Sequence, residues 1–407
     1  MSKLGHPSDG MIDVSIVLPC LNEEKGLPVS LSSARAALQS LGQRFGLGGE
    51  IIVADNGSTD ASREIATSGE ARIVDVERRG YGSAVREGCL EARGRFLIMG
   101  DSDGSYDFRD SVPMVEKLLN GEDLCVGSRF KGRIMPGAMP WKNRHLGNPA
   151  LSGFLNLLFR TGVSDAHCGL RAFTRESFLR LKPTSDGMEF ASEMVIKASL
   201  MGMKVSETPI TLHPDARGTA SHLRPWRDGW RHLRLLLMLS PGGLFLLPAF
   251  LLFAIGAPIF FLLLSRHDGA MSRLGSFRFG DHWMVASAAM LNMALQLALF
   301  ALATTLYGIR SGYRRAHGLT FILLSRLQLE HFLVSGIVAI LAGLLSVLWV
   351  LRLWVDVDYG PLEQLRPMIA GVTFILLGMQ LAFGGFFISV INGNESRIDV
   401  DKIKDKK

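Results

Sequence analysis

Three aspartates follow a short apolar run in the first half of the chain. Residues 96–99 read as a buried strand, and Asp101, Asp103 and Asp107 come after it. In an open α/β sheet, ligands bind in the crevice outside the carboxyl ends of the strands. Close carboxylates repel one another unless a cation lies between them, and hard oxygen ligands suit Mg²⁺ or Mn²⁺ carrying substrate phosphates. The pattern therefore predicts a metal and diphosphate site, with a solvated Asp-rich turn as the plainer alternative.

Two strand–helix units precede these aspartates. The predicted strands cover 14–18, closed by Pro19, and 50–54, and they lead into helices at about 29–41 and from about 61. The carboxyl ends of neighbouring parallel strands meet at one edge of a sheet. Residues 19–23 and 55–58 are therefore expected to line one crevice.

A glycine-rich segment, residues 78–83, precedes another predicted helix. Glycine at Gly82 would let the backbone approach a ligand closely, and Arg78 and Arg79 would offer positive charge to a diphosphate. The segment has neither the GxxxxGK[ST] nor the GxGxxG spacing, so the P-loop and dinucleotide fingerprints are excluded. Alone, it is a weak signal for phosphate binding.

The chain after the aspartates alternates helix and strand again. The predicted elements are helix 110–120, strand 124–126, helix 188–201 and strand 205–212. Residues 129–144 have no clear period and are rich in Lys and Arg, so we expect a mobile loop that closes over anions. A merely solvated basic loop fits the composition equally well. His167 is assigned no catalytic role, because a single histidine is more often a packed or surface residue.

The second half of the chain is much more apolar than the first. The 407 residues are 48% hydrophobic with a mean hydropathy of +0.23, and the apolar excess lies after residue 240. Four stretches without charged side chains cover 241–264, 283–308, 332–351 and 367–391. Each is long enough to cross a hydrocarbon core, which needs about 20 residues of helix. The sequence therefore predicts a soluble part followed by four transmembrane helices.

Loop charges predict the orientation in the membrane. The loop after the second span and the C-terminal tail are rich in Arg and Lys, whereas the loop after the third span carries Asp356, Asp358 and Glu363. The positive-inside rule then places the soluble part and both termini in the cytoplasm of a multi-pass protein of the cell (inner) membrane. Three arginines in the first external loop argue mildly against this. The N-terminus has no apolar signal-peptide region, and the four scattered cysteines have no metal-ligand spacing.

Residues 226–240 join the two parts. Arginines alternate here with tryptophans and leucines, a pattern typical of a basic amphipathic helix in the lipid headgroup layer. This region carries part of the formal net charge of +6, and its position beside the first span favours anionic lipid over nucleic acid as the partner. A juxtamembrane anchor without substrate contact is equally consistent with the pattern.

Seven motifs occur in order over residues 11–225, namely SIVLPCLNEE, IIVADNGSTD, RRGYGSAVREG, FLIMGDSDGSYDF, VGSRF, DAHCGLRAF and ETPITL. Together they resemble the inverting, GT-A-type glycosyltransferases of family two. More narrowly, they are similar to the polyprenyl-phosphate sugar synthases of the dolichol-phosphate mannose or glucose synthase group. The resemblance implies an α/β fold with a Rossmann-like GT-A nucleotide-sugar-binding domain, followed here by an α-helical membrane domain. The expected domains are 1–225 for the transferase, 226–240 for the interfacial helix, 241–393 for the transmembrane helices and 394–407 for a charged cytoplasmic tail.

The resemblance also implies roles for individual residues. The nucleotide sugar would be bound by Pro19, Leu21, Glu23, Asp55, Asn56, Gly82, Asp101 and Asp103, of which Asp101 and Asp103 would hold the metal. Asp103, Arg129 and Arg144 would be the catalytic residues, with the two arginines on the acceptor phosphate. Two departures leave the base and the sugar open: Asn56 stands where many relatives carry Asp, and Ser105 where many dolichol-type enzymes carry Gln.

The implied reaction is metal-dependent, inverting transfer of glucose or mannose from a UDP- or GDP-hexose to undecaprenyl or dolichyl phosphate at the cytoplasmic membrane face. A phosphate monoester, with a second pKa of about 6, is already nucleophilic at neutral pH. A hydroxyl acceptor would need a general base, for which Asp165 and Glu193 are the candidates. The alternatives are a membrane glycosyltransferase with a polysaccharide or glycolipid acceptor, and a non-catalytic nucleotide-sugar-binding scaffold. Whether the chain forms a homo-oligomer is left open.

Overall fold

The computed structural model describes residues 12–216, 225–265, 272–274, 277–311, 314, 328–360 and 364–393. The chain divides into two compact units, with the boundary between Leu239 and Ser240. The first unit is α/β, and the second is helical apart from a short hairpin of Ser272–Leu274 and Phe277–Phe279. The predicted tail, 394–407, lies outside the described residues.

A seven-stranded sheet forms the centre of the first unit. Its strands are β1 Val14–Cys20, β2 Gly49–Asp55, β3 Arg72–Asp75, β4 Phe96–Met99, β5 Leu124–Ile134, β6 Arg171–Thr174 and β7 Val205–Leu212. Their order across the sheet is β3-β2-β1-β4-β6-β5-β7. Strands β1 to β4 are parallel, β6 is antiparallel to β4 and β5, and β5 is parallel to β7.

Helices connect these strands. They are α1 Leu27–Phe45, α2 Ser62–Ser68, α3 Tyr81–Glu91, α4 Val112–Leu119, α5 Asn148–Phe159, α6 Arg175–Leu181, α7 Phe190–Leu200 and α8 Pro225–Leu239. Helix α1 illustrates why the sequence folds this way locally. Its buried residues Leu27, Leu31 and Leu41 recur at helical spacing, and the helix ends at Gly46, whose left-handed φ of 69° favours glycine.

The register of the parallel strands brings their carboxyl ends to one edge of the sheet. Cys20 lies opposite Asp55, and Asp55 lies opposite Asp75. Strand β4 is shorter: Met99 lies opposite Val17, so the Asp101 turn begins beside the last residues of β1. The predicted crevice at this edge is therefore present.

The structure corrects two of the predicted element boundaries. Strand β1 does not stop before Pro19 but continues through it to Cys20, because Pro19 still pairs with Ala54. Strand β5 extends to Ile134, so the first part of the predicted mobile loop, including Arg129, is strand. Its pairing with β7 continues past a register shift between Ser128 and Arg133. Long-range pairing with β7 thus overrides the weak local pattern of this segment.

Four elements of the first unit were not predicted: β3, β6, α5 and α6. Two of them are strands of only four residues, too short to show a clear period. Strand β6 matters most for the site, because it enters the sheet antiparallel beside β4. It thereby brings the segment before Arg171 next to the aspartate turn.

The second unit contains four long apolar helices, as predicted. They are α9 Leu247–Leu264, α10 Asp281–Arg310, α11 Leu329–Asp356 and α12 Leu365–Ile391, and a π-helical turn at Gly242–Leu246 extends α9. All four are long and apolar enough to cross a membrane. Helices α11 and α12 pack closely through glycines: a Cβ on Gly343 would lie 2.5 Å from the carbonyl oxygen of Gly371. Small residues allow this approach between membrane helices.

Candidate active site

A cavity of about 270 Å³ opens at the carboxyl edge of the sheet. Of the predicted site residues, it is lined by Pro19, Leu21, Glu23, Asn56, Asp101 and Asp103. The lining also includes Tyr81 and Met188, which the sequence did not single out. Residues that follow four separate strands, β1 to β4, therefore meet in one concave site, the default location of a ligand in an α/β fold.

The aspartate turn is fixed against β1 and α1. The Ser102 hydroxyl donates to the Pro19 carbonyl at 2.6 Å, and the Gly104 N–H donates to Ser30 Oγ at 3.1 Å. The Ser105 N–H donates to Asp103 Oδ1 at 3.0 Å, which orients that carboxylate. Gly104 has a φ of 80°, a backbone conformation that residues other than glycine rarely adopt. These hydrogen bonds hold the turn and its two carboxylates in a defined position, so it is not a solvated loop.

Aromatic and glycine residues surround Asp101. The Tyr81 hydroxyl shares a hydrogen bond with Asp101, and burial, followed by the charge of Asp101, raises the pKa of Tyr81 well above its usual value. Tyr106 accepts the Gly169 N–H at 3.0 Å. A Cβ on Gly169 would lie 2.8 Å from Asp101 Oδ2, so a larger residue at this position would have to displace that carboxylate. The sequence did not assign these contacts, since they join residues distant in the chain.

Asp55 and Asn56 adjoin each other but have different surroundings. The Asp55 carboxylate accepts the Ser58 N–H at 3.2 Å and pairs with Arg63 at 2.8 Å, and it is not part of the cavity lining. The Asn56 side chain donates to the carbonyls of Val76 and Arg78 at 3.1 and 2.9 Å. Asn56 Oδ1 also accepts the backbone N–H of Gly80 at 2.6 Å. Asn56 thus holds the glycine-rich segment against the cavity.

The start of α3 is capped by a residue that the sequence did not single out. The Gly82 N–H donates to the carbonyl of Asp186 at 2.8 Å, and the Ser83 hydroxyl donates to its carboxylate at 2.8 Å. Arg78 also pairs with Asp186. The N–H of Gly82, predicted to approach a nucleotide, is therefore bonded to protein, and its part in ligand binding stays a prediction. The polar turn at 184–187 has no sequence pattern from which this long-range contact could be predicted.

The two predicted acceptor arginines lie outside the cavity lining. Arg129 is buried and forms a two-point ion pair with Asp165, with Nε–Oδ2 and Nη2–Oδ1 distances of 2.7 Å each. Arg144 is exposed in a helical turn, Asn143–Gly147, that leads into α5. Neither arginine lines the cavity, so their roles remain predictions.

The two candidate bases are held in other interactions. Asp165 is fully buried in its pair with Arg129. Glu193 accepts the N–H groups of Thr184 and Ser185 and pairs with Lys197. Burial favours the neutral acid of Glu193, but the hydrogen bonds and the charge of Lys197 outweigh it and lower the pKa. A buried, ion-paired carboxylate of this kind is a poor general base.

His167 packs against a histidine of α8. The rings of His167 and His232 lie 5.1 Å apart, and His232 Nδ1 is 3.2 Å from the Ser192 hydroxyl. Burial, and then the proximity of His232, lowers the pKa of His167 to about 3. His167 is therefore a neutral packing residue at physiological pH.

The donor set of the cavity fits a hard divalent cation. Asp101 and Asp103 contribute carboxylate oxygens. Within the described ranges, His, Cys, Asp and Glu form no group of three or more that could hold a metal ion alone. Mg²⁺ is typically bound by one or two carboxylates together with substrate phosphates and water. Two aspartates are consistent with an ion that arrives with, or is completed by, a diphosphate.

Comparisons with known proteins identify both halves of the chain. Residues 15–181 match the family model described as "Glycosyl transferase family 2". Residues 302–392 match the model described as "Glycosyltransferase family 2 C-terminal transmembrane region". The low-salt glycan biosynthesis hexosyltransferase Agl6 of Haloferax volcanii is 34% identical over 388 residues, which cover 95% of this chain and 90% of Agl6.

Further relatives match the first half. The dolichyl-phosphate beta-glucosyltransferase of Dictyostelium discoideum is 28% identical over 221 residues, covering 50% of this chain and 67% of that protein. Among solved structures, glucosyl-3-phosphoglycerate synthase from Mycobacterium tuberculosis, in complex with Mn²⁺, UDP and glucosyl-3-phosphoglycerate, aligns with a TM-score of 0.43 and 20% identity. The alignment covers 66% of this chain and 87% of that one.

The near full-length match to Agl6 covers the α/β unit and the apolar helices together. The motif resemblance, the fold class and the transmembrane helices are thereby confirmed. The chain is a membrane-associated glycosyltransferase, and it belongs to glycosyl transferase family 2.

Proposed function

We propose that this enzyme transfers a hexose, glucose or mannose, from a UDP- or GDP-sugar to a polyprenyl phosphate at the cytoplasmic face of the membrane. The observation that carries the proposal is the placement of Asp101 and Asp103 in one cavity with Pro19, Leu21 and Glu23. A nucleotide sugar has an uncharged base, a diphosphate and a sugar, and the lining of this cavity combines apolar residues with carboxylates. The similarity to the dolichyl-phosphate beta-glucosyltransferases supports a lipid phosphate as the acceptor.

Asp101 and Asp103 would hold Mg²⁺ or Mn²⁺, which neutralises negative charge on the leaving diphosphate when bound. The chain's own residues prepare that position. The bonds of Ser102 and Gly104 fix the turn before any ligand arrives, so little reorganisation is needed on binding. Tyr81 hydrogen-bonds to Asp101, and the glycine at 169 leaves room for that carboxylate.

The environment of the two candidate bases favours a phosphate acceptor. Asp165 and Glu193 are both buried in ion pairs with Arg129 and Lys197. A hydroxyl acceptor would require a base that is ready to accept a proton at neutral pH. A phosphate monoester, with a second pKa of about 6, does not need one. Transfer to a polysaccharide or glycolipid hydroxyl is therefore the less favoured alternative.

Labelled-sugar transfer by the purified full-length chain tests this proposal. UDP- and GDP-hexoses would be offered with undecaprenyl or dolichyl phosphate and Mg²⁺ or Mn²⁺, and lipid-linked sugar would be measured. We expect product from one donor class and loss of product in D103N. The matched control is D107N, because Asp107 pairs with Arg109 outside the cavity lining. Product that forms equally well in D103N would contradict the assigned site.

The acceptor and the orientation need separate experiments. Transfer to a glycolipid or polysaccharide, with none to either lipid phosphate, would establish the hydroxyl-acceptor alternative. For the orientation, reporter domains active only in the cytoplasm would be fused after Lys407 and before Met1 of the full chain. We expect activity at both ends, because Arg and Lys are concentrated after the second span and in the tail. An inactive reporter at either end would overturn the proposed orientation.

A further inference from the structure

The two neighbouring arginines of the glycine-rich segment have different surroundings. Arg78 forms an ion pair with the carboxylate of Asp186. Arg79 lines the cavity, and none of the described residues forms an ion pair or a hydrogen bond with it. The sequence pattern offers both arginines to a diphosphate on equal terms. In the folded chain, Arg79 is the one of the two that is available to a ligand in the cavity.

The backbone of the segment has few N–H groups left for an anion. The Gly80 N–H donates to Asn56 Oδ1 at 2.6 Å, and the Gly82 N–H donates to the Asp186 carbonyl at 2.8 Å. The Ser83 N–H donates to the same carbonyl at 3.4 Å. In glycine-rich loops that lead into a helix, such N–H groups commonly bind phosphate. Because these three are bonded to protein, a side-chain cation is the stronger candidate here.

The charge of the cavity lining also favours Arg79. It is the one Lys or Arg among the described residues of the lining, whose other charged members are Glu23, Asp101 and Asp103. A nucleoside diphosphate would bring further negative charge into this acidic cavity. A guanidinium forms charge-assisted, often two-point hydrogen bonds to phosphate, which are stronger than those between neutral groups. Arg79 therefore supplies positive charge in addition to the cation that two of the aspartates would hold.

Asp186 holds the glycine-rich segment from the loop between α6 and α7. Its carboxylate accepts the Ser83 hydroxyl at 2.8 Å. The same carboxylate lies 3.3 Å from both Nη1 and Nη2 of Arg86, besides its pair with Arg78. Three side chains on both sides of Gly82 are thus joined to one carboxylate, which fixes the backbone that carries Arg79.

The loop that carries Asp186 is fixed in turn by α7. The N–H groups of Thr184 and Ser185 donate to the Glu193 carboxylate at 2.9 and 2.8 Å. The contact with the glycine-rich segment is close, because a Cβ on Gly80 would overlap the Asp186 carbonyl oxygen. A change at Asp186 therefore acts directly on the residues beside Arg79.

We propose that Arg79 binds the diphosphate of the nucleotide sugar, and that Asp186 is a positioning residue that keeps Arg79 at the cavity. Arg78 helps to fix the segment through Asp186, whereas Arg79 contacts the ligand. The inference rests on the proposed donor, and it adds which cation of the chain meets that donor and what holds the cation in place.

Calorimetric binding of UDP and GDP, each with Mn²⁺, to the detergent-purified full-length chain tests the role of Arg79. R79A should weaken binding of the diphosphate that the unmodified chain prefers by roughly 10- to 100-fold. The matched control, R78A, should weaken it by less than about fivefold, since exposed ion pairs contribute little. The loss in R79A should be greater for the diphosphate than for the corresponding monophosphate, because a general distortion of the site would weaken both by the same factor.

A double-mutant cycle tests the role of Asp186. D186A should weaken diphosphate binding on its own but add little to R79A, because residues that act through one another are not additive. D186N keeps an oxygen that can accept the Ser83 hydroxyl, so it should bind more tightly than D186A. E116A is the control, because Glu116 pairs with Arg44 outside the cavity lining and should leave binding unchanged.

Three results would overturn the inference while the proposed function stands. They are equal binding by R79A and R78A, equal losses in R79A for the diphosphate and the monophosphate, and additive losses in the double variant of Arg79 and Asp186. Failure of the unmodified chain to bind either diphosphate would instead refute the proposed donor, and this inference with it.

Discussion

Arg129 and Asp165 form a buried ion pair with three hydrogen bonds. The Arg129 N–H, Nε and Nη2 all donate to the Asp165 carboxylate, at 3.0, 2.7 and 2.7 Å. Arg129 lies in β5 and Asp165 lies six residues before β6 begins, so the pair joins β5 to the segment that leads into the adjacent strand. A residue predicted to act on the acceptor therefore has a structural partner that accounts for its burial.

The first prediction concerns this pair. D165N leaves the Arg129 guanidinium buried without a counter-charge, which typically costs about 3–5 kcal/mol. We expect a clear loss of thermal stability in D165N, measured on the detergent-purified chain by intrinsic fluorescence. D75N is a suitable control, since Asp75 pairs with Arg63 at an exposed position. Unchanged stability in D165N, together with lost transfer, would point to a direct role in the reaction.

The second prediction concerns Gly169. In G169A, the new methyl group would lie 2.8 Å from Asp101 Oδ2 and 3.0 Å from Tyr106, so Asp101 must move. A displacement of about 1 Å in a catalytic site can lower the rate on the order of 100-fold. We expect a loss of kcat of that order. The helical variant G42A serves as the control, because its Cβ would meet only ordinary contacts; a fully active G169A would refute the crowding argument.

The third prediction concerns Asn56. In N56D, a carboxylate replaces the amide that donates to the carbonyls of Val76 and Arg78. The negative charge would face two carbonyl oxygens, so the glycine-rich segment should shift. Each unsatisfied buried group costs about 1–3 kcal/mol. We expect a KM for the nucleotide sugar raised by about tenfold or more, while N56A should cause a smaller increase. An unchanged KM in N56D would separate this segment from donor binding.

The fourth prediction concerns the pH dependence of stability. Burial and His232 lower the pKa of His167 to about 3 in the folded state, against an ordinary value near 6.5. Between these two values the unfolded chain binds more protons at this residue, so acidification favours unfolding. We expect thermal stability to fall as pH drops below about 6.5, and to fall less steeply in H167Q. Identical pH profiles for H167Q and the unmodified chain would contradict the buried, neutral state of His167.

The fifth prediction concerns the membrane unit. In G343L, the side chain would enter the contact with α12, where a Cβ already lies 2.5 Å from the Gly371 carbonyl. We expect α11 and α12 to separate and the thermal stability in detergent to fall. A342L is the matched control, because Ala342 is adjacent in sequence but exposed. If both variants were equally stable, the close glycine contact between these helices would be wrong.

Much of the architecture follows from local pattern. Strand β4 matches its predicted bounds because it is a continuous apolar run, and β7 matches because its buried residues Thr208, Ile210 and Leu212 alternate with less buried ones. The four apolar helices could be located because an uncharged, apolar stretch of about 20 residues is the length that a transmembrane helix requires. Asp101 and Asp103 line the cavity at the carboxyl edge of the sheet, and their position directly after a buried strand can be seen in the sequence.

Long-range contacts account for what the sequence could not reveal. Strand β6 inserts antiparallel between β4 and β5, and this brings Gly169 beside Asp101. Asp186 reaches the start of α3 from about a hundred residues away. Neither contact leaves a periodic signal, because each depends on how separate elements pack.

The sequence by itself determined the family, the strand-end aspartates and the membrane spans, since these depend on residue types at short spacing. Only the tertiary structure decided that Arg129 pairs with Asp165, that Asn56 holds the glycine-rich segment, and that Phe154 and Leu157 of α5 stay exposed. These outcomes depend on which faces are covered when the chain folds, and burial of a given side chain is a property of the packed whole.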